Sequence, residues 1–180
     1  MSNIVIPDSL KAMTKAYVSE FKLPSSTLLA CKAGRCQRRE GTKVVEPIQE
    51  KGLLYLNVED DLRKLTFVDR QTKAVVDEKY LFEGDSKFLN LNEPSNQVWG
   101  FRFESSGEHV FFWLQEWDVE KQEKPDYEPY KKIFKEYVNG DIPEEYYDDT
   151  EMVVEMEGDE VEEIEAEKKN TNIGSSGNQN

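Results

Sequence analysis

Short runs of β-forming residues recur about every ten positions through the middle of the chain, and this spacing is the strongest constraint on its fold. Eight strands are predicted, at residues 27–32, 42–46, 53–58, 63–68, 74–82, 88–91, 98–103 and 109–115. Turn-forming residues separate them, among them Ala33-Gly34, Lys51-Gly52 and Ser106-Gly107. No helical period interrupts the series, so we expect an antiparallel sandwich or barrel from Ser26 to about Glu116.

One amphipathic helix is predicted directly after the strands, within residues 125–140. Asp126 can cap its start, Pro129 lies in its first turn, and Gly140 can end it. Its apolar residues form one stripe, made of Tyr130, Ile133, Phe134, Tyr137 and Val138. Seven or eight antiparallel strands followed by one helix is the order of the pleckstrin-homology-like barrel. The predicted fold class is therefore mainly β, a barrel of this kind capped by a C-terminal α-helix.

The chain divides into three sections. Residues 1–25 form an N-terminal extension with a predicted amphipathic helix from Ser9 that ends before Pro24, and residues 26–140 form the barrel domain. Residues 141–180 are an acidic tail with the composition of disorder. Positions 141–169 carry 14 acidic residues against two lysines, so the net charge of -14 leaves only -2 for the rest of the chain.

Composition narrows the classes of function. A nearly neutral domain with an acidic tail argues against a nucleic-acid partner, and no run of about 18 apolar residues could span a membrane. The first residues do not resemble a secretory signal, which favours a cytoplasmic and nuclear location. His109 is the only histidine, and we expect it to be a strand residue rather than a catalytic base. Cys31 and Cys36 are expected to be packing thiols. No enzyme activity, cofactor or metal is predicted.

Two clusters remain as candidates for binding. Phe111, Phe112 and Trp113 follow one another on a predicted strand, and successive strand residues point to opposite faces, so they cannot all enter one core. At least one of them must lie under another element or meet a partner. The second cluster is basic: Lys32, Arg35, Arg38 and Arg39. It could bind a phosphoinositide, attract an acidic peptide or protect an edge strand.

Several blocks of sequence together resemble a known family. They are residues 28–35 (LLACKAGR), 51–56 (KGLLYL), 60–62 (DDL) leading to Asp69-Arg70, Phe82 with Asp85, and 110–116 (VFFWLQE). In this order they are similar to the pleckstrin-like receptor-for-ubiquitin (Pru) domain of the proteasomal ubiquitin receptor, or adhesion-regulating molecule, family. The resemblance implies a non-catalytic subunit of the proteasome regulatory particle, and the chain looks like a short fungal-type member.

The resemblance also implies two sets of binding residues. Ubiquitin and polyubiquitin would contact Leu62, Phe82, Asp85 and Phe103, at loops on one end of the barrel. The C-terminal tail of a large scaffold subunit would contact Val45, Pro47 and Trp113. A phosphoinositide-binding pleckstrin-type adaptor is the alternative function.

The chain departs from the family pattern at several points. Gly84 stands where the first of two acidic residues is expected, and Lys79 replaces an apolar residue, so ubiquitin binding is expected to be weaker or shifted, with Glu83 as a compensating acid. The sequence also lacks the helical domain through which longer members recruit a deubiquitinase, so that partner is expected to be absent.

Overall fold

The computed structural model of the chain describes residues 5–39, 44–91, 95–139, 145–146 and 153–154. The elements follow in chain order: α1 (Asp8–Phe21), β1 (Thr27–Arg38), β2 (Val44–Pro47), β3 (Gly52–Glu59), β4 (Leu62–Asp69), β5 (Val75–Leu81), β6 (Ser86–Asn90), β7 (Val98–Phe103), β8 (Glu108–Leu114), α2 (Glu128–Asn139), β9 (Glu145–Tyr146) and β10 (Val153–Val154). The predicted class, a mainly β barrel of eight antiparallel strands with a helix after them, is confirmed. Residues 141–180, which are predicted to be disordered, lie outside the described residues except for β9 and β10.

Strand β1 joins the two halves of the barrel. The order of hydrogen-bonded strands is β5-β4-β3-β1-β8-β7-β6-β9, and β2 pairs with the end of β1. Residues Thr27 to Ala33 of β1 pair with β3, whereas Ala33 to Cys36 pair with β8. The sheet curls so that its halves share one core, in which the rings of Phe67 on β4 and Phe112 on β8 lie 5.7 Å apart.

Helix α2 closes the barrel core with the predicted apolar stripe. Tyr130, Ile133 and Phe134 are buried, and the Phe134 ring lies 5.0 Å from Trp99 on β7. Tyr137 packs against the same core from a partly buried position. The side chain of Val138, the last residue of the predicted stripe, lies outside the described part of the structure.

Helix α1 packs on the barrel from the N-terminal side. Leu10 is buried in the main core, while Tyr17 and Phe21 cover a second cluster on the other face of the sheet. That cluster consists of Ala30, Leu53, Tyr55 and Val68. The helix ends at Phe21, and Lys22 adopts the left-handed conformation that commonly follows a helix.

One predicted turn is wrong. Ala33-Gly34 was expected to break the chain, but β1 runs unbroken through both residues to Arg38. Gly34 pairs with Trp113, and a Cβ at position 34 would lie 2.5 Å from Gln115 Nε2 and 2.6 Å from Trp113 Nε1. The glycine is therefore required for close side-chain packing across the strand, not for a turn.

Candidate protein-binding surfaces

Three turns meet at one end of the barrel, which we call the turn end. They join β3 to β4, β5 to β6, and β7 to β8. The strand register brings them together through these pairs: Glu59 with Leu62, Arg63 with Leu81, Ser86 with Phe103, and Phe103 with Glu108. Every residue predicted from the family resemblance to contact ubiquitin lies at this end.

Two of those residues present apolar side chains to solvent. Leu62 is 41% exposed and Phe82 is 53% exposed, and both lie one residue beyond the paired Arg63 and Leu81. The Phe82 ring stacks against Tyr80, with ring centroids 6.3 Å apart. Large exposed apolar side chains held on strand ends are typical of a protein contact.

Phe103 occupies a different position from these two. It is only 4% exposed and belongs to the main core. The Lys79 Nζ atom lies 5.9 Å from the centre of its ring. This ammonium also forms ion pairs of 2.8 Å with Glu108 and 3.4 Å with Asp77. The structure thus places Phe103 beneath the turn end, with Lys79 above it and neutralised by two carboxylates.

Asp85 braces the turn in which it lies. Its Oδ1 accepts a 2.7 Å hydrogen bond from the Ser105 backbone N–H, and its carbonyl accepts a 2.8 Å bond from the Glu104 N–H. These bonds tie the β5–β6 turn to the β7–β8 turn. Gly84 has a φ of +85°, a conformation that side chains other than glycine rarely adopt. This backbone geometry gives a structural reason for glycine where the family pattern has an acid.

Carboxylates surround the apolar tips. Glu59, Asp60 and Asp61 on the first turn and Glu83 on the second are exposed, and Asp85 is partly exposed. Glu104 and Glu108 on the third turn pair with Arg102 and Lys79. The turn end is therefore an apolar patch with an acidic rim, which favours a partner with a basic rim around an apolar centre.

The three residues predicted to hold a scaffold tail lie together elsewhere on the barrel, beside β2. Val45 and Trp113 belong to one buried cluster, together with Cys36, Leu89, Leu91, Val98 and Phe111. Pro47 pairs with Cys36 of that cluster. The Trp113 indole Nε1–H donates a 3.3 Å hydrogen bond to the Ile48 carbonyl. This arrangement separates the three consecutive aromatics as expected, because Phe112 enters the main core whereas Phe111 and Trp113 belong to the buried cluster beside β2.

Two short segments of the same chain pair with strands at this cluster. β10 pairs in parallel with β2, with Val153 opposite Val44 and Val154 opposite Val45. β9 pairs in parallel with Leu89 and Asn90 of β6. The backbone edge of β2 is therefore able to accept an extended segment of polypeptide.

Glu116, the last residue of the VFFWLQE block, forms a buried junction that sequence reasoning did not identify. Its Oε2 accepts 2.8 Å hydrogen bonds from the Tyr17 hydroxyl and from the Lys32 backbone N–H. Its carbonyl accepts a 2.8 Å bond from the Tyr127 hydroxyl. Nearby, Thr14 Oγ1 accepts a bond from the Ala30 N–H. The backbone N–H groups of Ala30 and Lys32 lie on the part of the β1 edge that β8 does not pair with. Side chains from α1 and from the segment after β8 accept their hydrogen bonds.

The junction also perturbs its ionisable neighbours. Burial first, and then the charge of Glu116, raise the pKa of Tyr17 and Tyr127 above the usual range for tyrosine. The same two causes raise the pKa of the Cys31 thiol. Cys31 and Cys36 are both free and buried, in different clusters, which confirms their interpretation as packing thiols.

The basic cluster is largely engaged within the chain. Arg35 forms a two-pronged ion pair with Glu50, with contacts of 3.0 Å and 2.6 Å, and Arg39 pairs with Glu46 at 2.8 Å. The hydrogen bond from Arg39 lowers the pKa of Glu46. These pairings do not favour phosphoinositide binding, which needs cations available for phosphate. Among the described residues, no group of three His, Cys, Asp or Glu side chains could hold a metal, and no helix is long and apolar enough to cross a membrane.

Comparison with known proteins identifies the family. The model of the family described as "Proteasome complex subunit Rpn13, Pru domain" matches residues 28–125. The proteasomal ubiquitin receptor ADRM1 homolog rpn1302 of Schizosaccharomyces pombe is 29% identical over 101 residues, which cover 54% of this chain and 26% of the relative. The proteasomal ubiquitin receptor ADRM1 of Mus musculus is 30% identical over 122 residues, covering 67% of this chain and 27% of the relative.

A third relative, the proteasomal ubiquitin receptor ADRM1 homolog of Drosophila melanogaster, is 31% identical over 102 residues, covering 56% of this chain and 26% of its own length. The chain thus spans about a quarter of the length of the curated relatives it matches. The family match extends from the start of β1 to the segment between β8 and α2, and so includes the turn end, β2 and Trp113. The chain belongs to the Rpn13 Pru-domain family.

Proposed function

We propose that this chain is a non-catalytic ubiquitin receptor of the proteasome regulatory particle, acting in the cytoplasm and nucleus. The observation that carries the proposal is the exposure of Leu62 and Phe82 side by side at the acid-rimmed turn end, within the residues that match the family. The names of the relatives, all called proteasomal ubiquitin receptors, support the same role.

The chemistry of ubiquitin suits this surface. Ubiquitin presents an apolar patch beside basic and imidazole groups, so Leu62 and Phe82 would bury apolar area while the carboxylates of the rim face the basic groups. Asp85 would contribute in two ways, by its charge and by holding the turn that carries Phe82. Phe103, which is buried, would support the surface from beneath unless Lys79 moves aside.

Titration of ¹⁵N-labelled ubiquitin with the unlabelled chain tests the first part of the proposal. We expect Phe82→Ala to weaken binding by about tenfold or more, because a large anchor at the centre of an interface commonly contributes over 1 kcal/mol. Val75→Ala is the matched control, since Val75 is 58% exposed on the same strand but about 23 Å from Phe82 along it. An absence of chemical-shift changes with millimolar wild-type chain would refute the ubiquitin assignment.

The second part of the proposal is that an extended, acidic, proline-bearing tail of the scaffold subunit docks on β2 beside Trp113. Support comes from the cluster that contains both Val45 and Trp113, and from the pairing of the β2 edge with β10. Backbone hydrogen bonds along such an edge give affinity, and side-chain pockets give specificity. Pro47 would limit this edge, because it has no N–H to donate.

Indole N–H signals in an NMR titration with a peptide copy of the scaffold's C-terminal tail provide the test. The signal of Trp113 should shift, since its Nε1–H bonds to Ile48 directly after β2. Trp99 is an internal control, because its indole bonds to Asn96 and its ring packs in the barrel core. Equal shifts of both indoles, or none, would contradict docking at this cluster.

A further inference from the structure

The outer face of the β4–β5 hairpin carries a large exposed side chain that the family resemblance does not assign. Along β5, Leu81 points to the core and is 3% exposed, whereas its neighbour Tyr80 points outward and is 45% exposed. Tyr80 pairs with Lys64 across the two strands. Its ring stacks on that of Phe82, so two exposed aromatic rings extend from the turn end onto the strand.

Contacts on this face hold the Tyr80 ring in place. The ring stacks on Phe82 with an interplanar angle of 24°, and the Lys64 ammonium lies 5.7 Å from its centre. Lys64 is itself fixed by a 3.0 Å ion pair with Glu78. A held ring loses little conformational freedom when a partner covers it, which is a property of tyrosines at interface hot spots.

The polar end of Tyr80 is available to a partner. The phenolic hydroxyl makes no hydrogen bond to any residue that the structure describes, although the ring makes the two contacts given above. Tyr80 belongs to none of the three buried clusters. Its position therefore contributes little to the core and presents both apolar area and a hydrogen-bonding group outward.

We propose that Tyr80 is a ubiquitin-contact residue, so that the ubiquitin surface extends from the turn end along the outer face of β5. The inference rests on the proposed function, and it identifies ubiquitin as the occupant because the Tyr80 ring stacks on Phe82, which that function assigns to ubiquitin. It also gives a physical account of the missing acid at Gly84. The apolar contact along β5 replaces part of the affinity that a second carboxylate would supply.

The test is a ubiquitin titration with Tyr80→Ala, Tyr80→Phe and the control Val75→Ala, each in the full chain. Tyr80→Ala should weaken binding roughly fivefold to tenfold, as for a hot-spot aromatic. Tyr80→Phe keeps the ring and should retain at least half of the wild-type affinity for ubiquitin. Val75→Ala should leave that affinity unchanged. Thermal unfolding of each variant checks that the fold is retained, which the exposure of Tyr80 leads us to expect.

A further comparison separates contact from support of Phe82. If Tyr80 touches ubiquitin, Tyr80→Ala should still weaken binding at least threefold in a Phe82→Ala background. If the second substitution has no effect there, Tyr80 only positions Phe82 and the inference is overturned. Wild-type affinity in Tyr80→Ala alone, with Phe82→Ala still weak, would overturn the inference but preserve the proposed function. No binding by the wild-type chain would remove both.

Discussion

The Glu116 junction allows a quantitative prediction about stability. Glu116→Ala removes the acceptor of two 2.8 Å hydrogen bonds and leaves the Lys32 N–H without its partner. A buried donor without a partner costs about 1–3 kcal/mol, and a hydrogen bond to a charged group contributes about 1.5–3 kcal/mol. Allowing for overlap between these terms, we expect a loss of about 3–5 kcal/mol in the free energy of unfolding, a large part of the total for a domain of this size.

The structure predicts a much smaller effect for Glu116→Gln. Both hydrogen bonds converge on Oε2, and one amide oxygen has two lone pairs with which to accept both. Glutamine therefore loses the charge but keeps the bonds, and we expect a loss of about 1–2 kcal/mol. Removal of the charge should also lower the pKa of Tyr17 and Tyr127, because Glu116 contributes to raising both.

Urea denaturation followed by circular dichroism measures both losses. Glu120→Gln is the control, since Glu120 is an exposed carboxylate four residues away, and its effect should stay within about 0.5 kcal/mol. Two results would refute the reasoning: an alanine variant within 1 kcal/mol of wild type (about the size of one ordinary hydrogen bond), or a glutamine variant as unstable as the alanine variant. The first result would show that the hydrogen bonds of Glu116 to α1 and β1 contribute little to stability. The second would show that the stabilisation comes from the charge of Glu116 and not from its hydrogen bonds.

Three other predictions concern different parts of the molecule. Gly34→Ala should destabilise the domain by about 1–3 kcal/mol and shift the Trp113 indole NMR signal, because a Cβ there would lie 2.6 Å from that nitrogen. The free energy of unfolding should fall as pH rises above about 10, because Tyr17 has a raised pKa in the folded chain and therefore loses its hydroxyl proton first in the unfolded chain. Tyr17→Phe should reduce this dependence of stability on pH in pH-jump denaturation. Replacing Val153 and Val154 together by proline should increase affinity for the scaffold-tail peptide in fluorescence anisotropy, because β10 occupies the β2 edge; unchanged affinity would show that the two do not compete.

The strands could be predicted because their determinants are local. Each run alternates or is apolar, and turn residues such as Ser106-Gly107 bound it, so the predicted β7 and β8 agree with the structure to within a residue. The prediction of a turn at Gly34 is wrong because glycine occurs both in turns and where a neighbouring side chain packs closely on the backbone. Only the position of Trp113 on the neighbouring strand distinguishes the two cases. That position depends on the sheet, not on the neighbouring sequence.

Less of the candidate surfaces could be predicted. The resemblance brought Leu62, Phe82 and Asp85 together correctly in space, but it did not reveal that Phe103 is buried beneath Lys79. Glu116 was visible only as the end of a motif, because its partners Lys32 and Tyr17 are 84 and 99 residues away in the chain. Contacts between residues so far apart in the chain depend on the fold and cannot be predicted from composition or periodicity.

The β7–β8 hairpin has a consequence for how the two proposed contacts combine. Phe103 pairs with Glu108 at one end of the hairpin, and Val98 pairs with Trp113 at the other, about 17 Å away along the strands. With this spacing along one hairpin, neither partner would contact the residues proposed to bind the other. The coupling free energy between them should then be near zero, so the chain would hold ubiquitin as tightly when docked as when free.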